Sequence, residues 1–193
     1  MYATLVRTLI NMTYIIVDFE ATCCDKGNIT RDEMEIIEIG AVVLEGNDPE
    51  ILAEYQSFIK PVRHPELTTF CTEMTTITQD MVGSARPFDE VIEEFSHWIA
   101  SFENPIFCSW GNYDKNQLKQ DCSFHDVKYP FTEEHINIKQ RFANNMALKK
   151  GVSLGKALYK ANLKFDGTAH RGIDDARNMA QLSERVFPKA QVA

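Results

Sequence analysis

Hydrophobic positions in the first sixty residues come in short unbroken runs rather than in a helical period. Tyr14-Ile15-Ile16-Val17 is apolar throughout and rich in β-branched residues, which predicts a strand buried on both faces. Ile36 to Leu44 (IIEIGAVVL) predicts a second strand, and Tyr55 to Ile59 a third after a turn at Gly46-Asn47-Asp48-Pro49. The short connection makes these two an antiparallel hairpin. The period then changes. Phe88, Val91, Ile92, Phe95, Trp98, Ile99 and Phe102 recur at helical spacing, with Pro87 where a first-turn proline belongs, so a helix is predicted over 88–102. Asp89, Glu90, Glu93 and Glu94 occupy its other face.

Ile106 to Trp110 reads as a fourth strand, Tyr113 to Cys122 as a helix and Ile136 to Ile138 as a short fifth strand. Helices are predicted over 142–149, 154–161 and 173–187. A hairpin followed by strands alternating with helices indicates an α/β domain with a mixed sheet and helices on its faces. The expected organisation is one domain over 14–188, with an N-terminal extension over 1–13 and a tail over 189–193. Met12 stands just before the first strand and is the expected start, residues 1–11 adding little.

Composition narrows the class. With 44% hydrophobic and 25% charged residues in 193, the chain is an ordinary globular domain, not a disordered or collagen-like one. No apolar run approaches the ~18 residues of a membrane span, so no membrane association is expected. Five cysteines, an odd number with no C-x-x-C spacing, favour apolar packing in a reducing, cytoplasmic setting over disulfides or a zinc knuckle.

The net charge of −8 argues against a protein that coats long stretches of nucleic acid. The charge is uneven, however. Residues 1–138 carry 9 bases and 24 acids, whereas residues 139–171 carry 8 bases (Lys139, Arg141, Lys149, Lys150, Lys156, Lys160, Lys164 and Arg171) against Asp166 alone. A basic segment in an acidic protein is a candidate phosphate-contacting surface, and a set of solvated helix faces would look the same.

Three acidic features carry candidate chemistry. Asp18-Phe19-Glu20 follows the buried strand, and residues i and i+2 of a strand point to the same side. Two carboxylates therefore emerge together at the C-terminal end of an interior strand, where open α/β sheets bind ligands. Their mutual repulsion raises a pKa unless a cation such as Mg²⁺ neutralises them. Asp114 opens the helix after the fourth strand. In His170-Arg171-Gly172-Ile173-Asp174-Asp175, a glycine suited to a tight bend precedes a helix whose first turn holds two acids. Helix-dipole pairing alone would place acids at both helix starts. It does not require a histidine five residues before Asp175, and such a histidine suits proton transfer from an activated water.

D-x-E, a middle Asp and H-x₄-D in this order resemble the DEDDh group of 3′-to-5′ exonucleases, over about Tyr14 to Phe187. IIVDFEATC (15–23), TTFCTEMTTITQDMV (68–82), SWGNYDKNQL (109–118) and HRGIDDARNMA (170–180) carry the resemblance. DFEATC, and FC followed by an I-T-Q segment, are similar to the branch that trims histone mRNA and small interfering RNA 3′ ends. The resemblance implies an RNase H-like fold: a five-stranded mixed sheet flanked by helices. It implies two Mg²⁺ ions, which Mn²⁺ can replace, held by Asp18, Glu20, Asp114 and Asp175, with His170 as general base. It further implies that main chain near Ala21 and Thr22 approaches the terminal sugar and that Phe70, Met74 and Trp110 enclose the terminal bases. Lys149 and Lys150, with the rest of the basic segment, are expected on upstream phosphates.

The expected activity is metal-dependent 3′-to-5′ hydrolysis of single-stranded RNA or RNA overhangs to nucleoside 5′-monophosphates, the partner being a nucleic acid 3′ end. Two alternatives stand beside it: the same chemistry on DNA 3′ ends, and a catalytically inactive binding module. The sequence points to no protein partner.

Overall fold

The computed structural model describes residues 12–132 and 134–188. The expectation of a dispensable segment over 1–11, and that of a tail over 189–193, fall outside the described residues.

Strand β1 (Thr13–Ala21) leads through a short 3₁₀ turn at Arg31–Glu33 to β2 (Ile36–Glu45) and β3 (Ala53–Phe58). Two short helices, α1 (Thr69–Thr75) and α2 (Gln79–Gly83), precede the long α3 (Phe88–Ala100) and β4 (Pro105–Ser109). Then come α4 (Tyr113–Phe124), β5 (His135–Asn137), α5 (Ile138–Asn145), α6 (Leu154–Lys160), α7 (Gly172–Ala180) and α8 (Ser183–Val186). The sheet order is β3-β2-β1-β4-β5. The β1/β2 and β2/β3 pairs are antiparallel, and β1/β4 and β4/β5 are parallel. The expected five-stranded mixed RNase H-like sheet is what the chain forms.

Strand β1 shows why its sequence is continuously apolar. Tyr14 and Ile16 pack on one face against α5, α7 and α8, through Phe142, Ala176, Met179 and Phe187. Ile15, Val17 and Phe19 pack on the other, against Phe88, Val91, Phe95 and Leu118 of α3 and α4. Alternate side chains of a strand face opposite ways, so a strand covered on both sides favours apolar residues at successive positions. Helix α3 buries Phe88, Val91, Ile92, Phe95 and Ile99, each contributing on the order of 2 kcal/mol over an exposed position.

Three boundaries differ from expectation. Helix α5 begins at Ile138, because the Asn137 side chain accepts the Gln140 N–H as an N-cap, and it ends at Asn145, two residues before Ala147 turns left-handed at φ 51°. The helix expected over 173–187 breaks at Gln181–Leu182, which buries Leu182 and lets Phe187 stack on Tyr14 at 3.9 Å. Helices α1 and α2, not expected, are capped by the hydroxyls of Thr68 and Thr78. Among the described residues no helix is long and apolar enough to cross a membrane.

Candidate active site

The parallel pairing of β1 with β4 stops at Ile16↔Cys108, while β1 continues to Ala21 against β2. The C-terminal half of β1 therefore has a free side toward β4, and the candidate carboxylates sit along it. Phe19 donates its buried N–H to Asp114 Oδ1 at 3.2 Å, so a side chain from the first turn of α4 replaces the missing strand partner. Helix dipole and capping alone do not account for Asp114, because its carboxylate also reaches across to β1.

His170 and Asp175 come from the loop before α7 and from its first turn. His170 donates its backbone N–H to Asp175 Oδ2 at 3.0 Å. The tight bend expected at Gly172 lies instead at His170, which takes a left-handed φ of 61°. This seat is fixed from below by Glu38, opposite Glu20 in the β1/β2 register and fully buried. The Glu38 carboxylate accepts from Arg171 Nε at 3.1 Å and Nη2 at 3.2 Å, from the Gly172 N–H at 3.1 Å and from Gln56 Nε2 at 2.6 Å. Sequence reasoning passed over Glu38 as one letter of the strand IIEIGAVVL; its signal was a lone acid within a fully buried run.

Asp18, Glu20, Asp114, His170 and Asp175 all line one cavity of about 550 Å³. Within it, one ligand atom each from Glu20, His170 and Asp175 lie within 4.8 Å of one another. Burial, reinforced by Asp114, Glu20, Asp175 and Glu38, holds the Asp18 carboxyl well above the ordinary range. Burial, then the charges of Asp175, Glu38 and Asp114, pushes Glu20 up to about 8. Asp114 rises to about 6 by burial, against hydrogen bonds from Phe19 N–H, its own N–H and Ser109. Asp175 rises to about 6, again by burial, opposed by the N–H and charge of His170. Four carboxyls that resist ionising together, all oxygen donors beside one imidazole, fit hard divalent cations, which relieve that cost by supplying positive charge.

The other expected residues divide. Ala21, Met74 and Trp110 line the cavity, Trp110 being held by its Nε1–H on the Val152 carbonyl at 3.2 Å. Phe70 does not; it lines a separate hollow with Cys24, Asp25 and Lys26. Neither Phe70 nor Met74 is core. Thr22 is buried away from the cavity. Its N–H donates to the Glu35 carbonyl at 2.8 Å and its hydroxyl accepts the Glu35 N–H at 3.0 Å, a clamp at the base of loop 23–34. Lys149 and Lys150 are exposed outside the cavity, and Lys139 of α5 lines it instead. Met34, Tyr113, Leu154 and Phe165 complete the apolar wall. They were missed because loop and helix-end residues declare no period.

The exonuclease family model matches residues 15–183. The nuclease domain of 3′hExo, a DEDDh family member solved bound to rAMP, superposes with a TM-score of 0.83 at 30% identity, over 91% of this chain and 92% of that one. This chain belongs to the DEDDh exonuclease family. Family members generally use divalent metal ions, in keeping with the donor set above. Similar proteins include rat 3′-5′ exoribonuclease 1, 33% identical over 89% of this chain, and human ERI1 exoribonuclease 3, 34% identical over 88%. The chain spans about half the length of these relatives, 52% in each case.

Proposed function

We propose that this chain is a 3′-to-5′ exonuclease that removes nucleotides one at a time from the 3′ end of single-stranded RNA or an RNA overhang, releasing nucleoside 5′-monophosphates. The observation that carries this reading is the convergence of Asp18, Glu20, Asp114, Asp175 and His170, from three separate stretches of chain, on one cavity. RNA is favoured over DNA because the relatives above are named exoribonucleases and the related nuclease domain was solved with rAMP.

Asp18, Glu20, Asp114 and Asp175 would hold two Mg²⁺, for which Mn²⁺ can substitute. When bound, such a pair supplies neutralising charge and Lewis acidity at phosphoryl oxygens. The chain's own residues do the rest. Asp114 locks the end of β1 to α4 through Phe19 N–H, which keeps Asp18 and Glu20 in place. His170, exposed at the cavity mouth, takes the proton of the attacking water on its imidazole. Asp175 and Glu38 fix the backbone on either side of it. Met74 and Trp110 offer apolar surface to the terminal base, and main chain at Ala21 faces the sugar. An apolar wall grips any base, so little sequence preference is expected.

The test is a 5′-labelled single-stranded RNA beside the matched DNA, with Mg²⁺ and with EDTA. Stepwise shortening of the RNA from its 3′ end, with 5′-monophosphate products and none in EDTA, is expected. Internal cuts, or an intact strand, overturn the reading; faster loss of the DNA strand transfers it to DNA.

A further inference from the structure

We infer that the exposed face of α6, Tyr159 between Lys156 and Lys160, is the platform that carries the single strand as it leaves the cavity, a base stacking on Tyr159 and the lysines meeting phosphates. This rests on the reading of the cavity as a 3′-end site and extends that reading to the upstream nucleotides.

The helix begins at the rim: Ser153, Leu154 and Gly155 line the cavity with His170 and Asp175. Lys156, Tyr159 and Lys160 stand at i, i+3 and i+4 and share one face, while Ala157 and Leu158 are buried beneath. At ~1.5 Å per residue, Tyr159 lies about 7 Å along the axis from Leu154. That is roughly two stacked-nucleotide steps of ~3.4 Å. The platform is thus placed for the third or fourth nucleotide from the end.

Tyr159 is 82% exposed, more than any other large hydrophobic residue among those described. The side chains of Lys156, Tyr159 and Lys160 make no hydrogen bond or ion pair among the described residues, so packing does not explain them. Charge selects the occupant. Residues 139–171, which include α6, carry a net of +7 in a chain whose first 138 residues carry −15, so this segment is the one that favours a polyanion. Lys139 inside the cavity continues the cationic line toward the carboxylates. A face of one aromatic ring flanked by two ammonium groups is too small and too polar to seat a lipid surface, whereas ring stacking with cation–phosphate pairing is how single strands are held without regard to sequence.

The experiment measures fluorescence anisotropy of a 5′-fluorescein 12-nucleotide RNA with 3′-terminal phosphorothioates, with Mg²⁺ and the full chain, over a salt series. Tyr159→Ala is expected to weaken binding roughly tenfold, and Tyr159→Trp to restore it. The Lys156→Ala/Lys160→Ala pair is expected to reduce the slope of log affinity against log salt by about 1.4. Cleavage of a dinucleotide, too short to reach α6, should be unchanged in all variants. Affinity of Tyr159→Ala within twofold of wild type, or an unaltered salt slope in the lysine pair, overturns the inference even if the wild type trims RNA. A wild type that binds through α6 but trims no strand overturns the proposed function and leaves the platform standing.

Discussion

Gly40 of β2 and Gly172 of α7 meet backbone to backbone. A Cβ on Gly40 would lie 2.0 Å from both the Gly172 carbonyl carbon and the Ile173 nitrogen, and one on Gly172 would lie 2.9 Å from the Asp18 carbonyl oxygen. No side chain fits between helix and sheet at this point. The contact brings the helix start carrying Asp175, and the loop carrying His170, down beside Asp18.

Gly40→Ala should therefore separate the two halves of the site. The clash is with backbone, so α7 has to move, at an expected cost of about 1–3 kcal/mol or more. Turnover of a labelled RNA should fall more than stability does. Gly83→Ala, which meets nothing within 4 Å, is the control and should stay within about 0.5 kcal/mol of wild type.

Asp114 acts as both a charge and a hydrogen-bond acceptor, and two variants divide these roles. Asp114→Ala strands the buried Phe19 N–H, at about 1–3 kcal/mol. Asp114→Asn keeps an acceptor and removes repulsion, so urea denaturation of the metal-free protein should place it at or above wild type. Both should be inactive. Equal stability of the two variants would mean that the Phe19 bond contributes nothing.

The cluster makes metal-free stability depend on pH in a definite direction. Glu20 rises from 4.5 to about 8, and Asp114 and Asp175 from 3.8 to about 6. Folded values above unfolded ones mean that the folded protein holds these protons longer. Their stabilisation is complete below about pH 4 and is lost as pH rises through 6 to 8. In EDTA the melting temperature should be higher near pH 5.5 than near pH 8. Adding Mg²⁺ or Mn²⁺ at pH 8 should raise it by several degrees, since about 1 kcal/mol corresponds to ~2–4 °C at this size. A melting temperature that ignores metal at pH 8 would contradict the proposed ligands.

His170 sits at φ 61°, a conformation that favours glycine. His170→Gly should be more stable than His170→Ala by on the order of 1 kcal/mol, and neither should turn over RNA. Calorimetric titration with Mn²⁺ should still detect binding by the four carboxylates in both.

Glu38→Ala removes the acceptor for Arg171, Gly172 and Gln56 at once, leaving a half-buried guanidinium without its partner. A loss of about 3–5 kcal/mol in chemical denaturation is expected. Glu38→Gln, which retains an acceptor oxygen, should recover part of it.

Local pattern and tertiary context contributed differently to what could be read in advance. The strands and α3 were legible because burial on two faces, or on one helical stripe, leaves a periodic trace. Asp18, Glu20, Asp114, His170 and Asp175 were legible because their spacing serves chemistry rather than packing. Helices α1 and α2 were not, since seven- and five-residue helices hold too few turns to show a period. Phe70 and Met74, four residues apart and so on one side of α1, nevertheless line different hollows, a division that the helical period does not reveal. Glu38 was hidden for the opposite reason: its partners Arg171 and Gly172 lie more than 130 positions away, and only the fold brings them together.

The Thr22–Glu35 clamp has a consequence for redesign. Two hydrogen bonds close the intervening loop at its neck, so the strand register on either side is set without reference to the loop's length. Lengthening a closed loop is inexpensive, about 0.6 kcal/mol per doubling. The tip around Asp25 to Asn28 is exposed, and none of its residues lines the carboxylate cavity, so a tag or a recognition peptide could be spliced into this chain there.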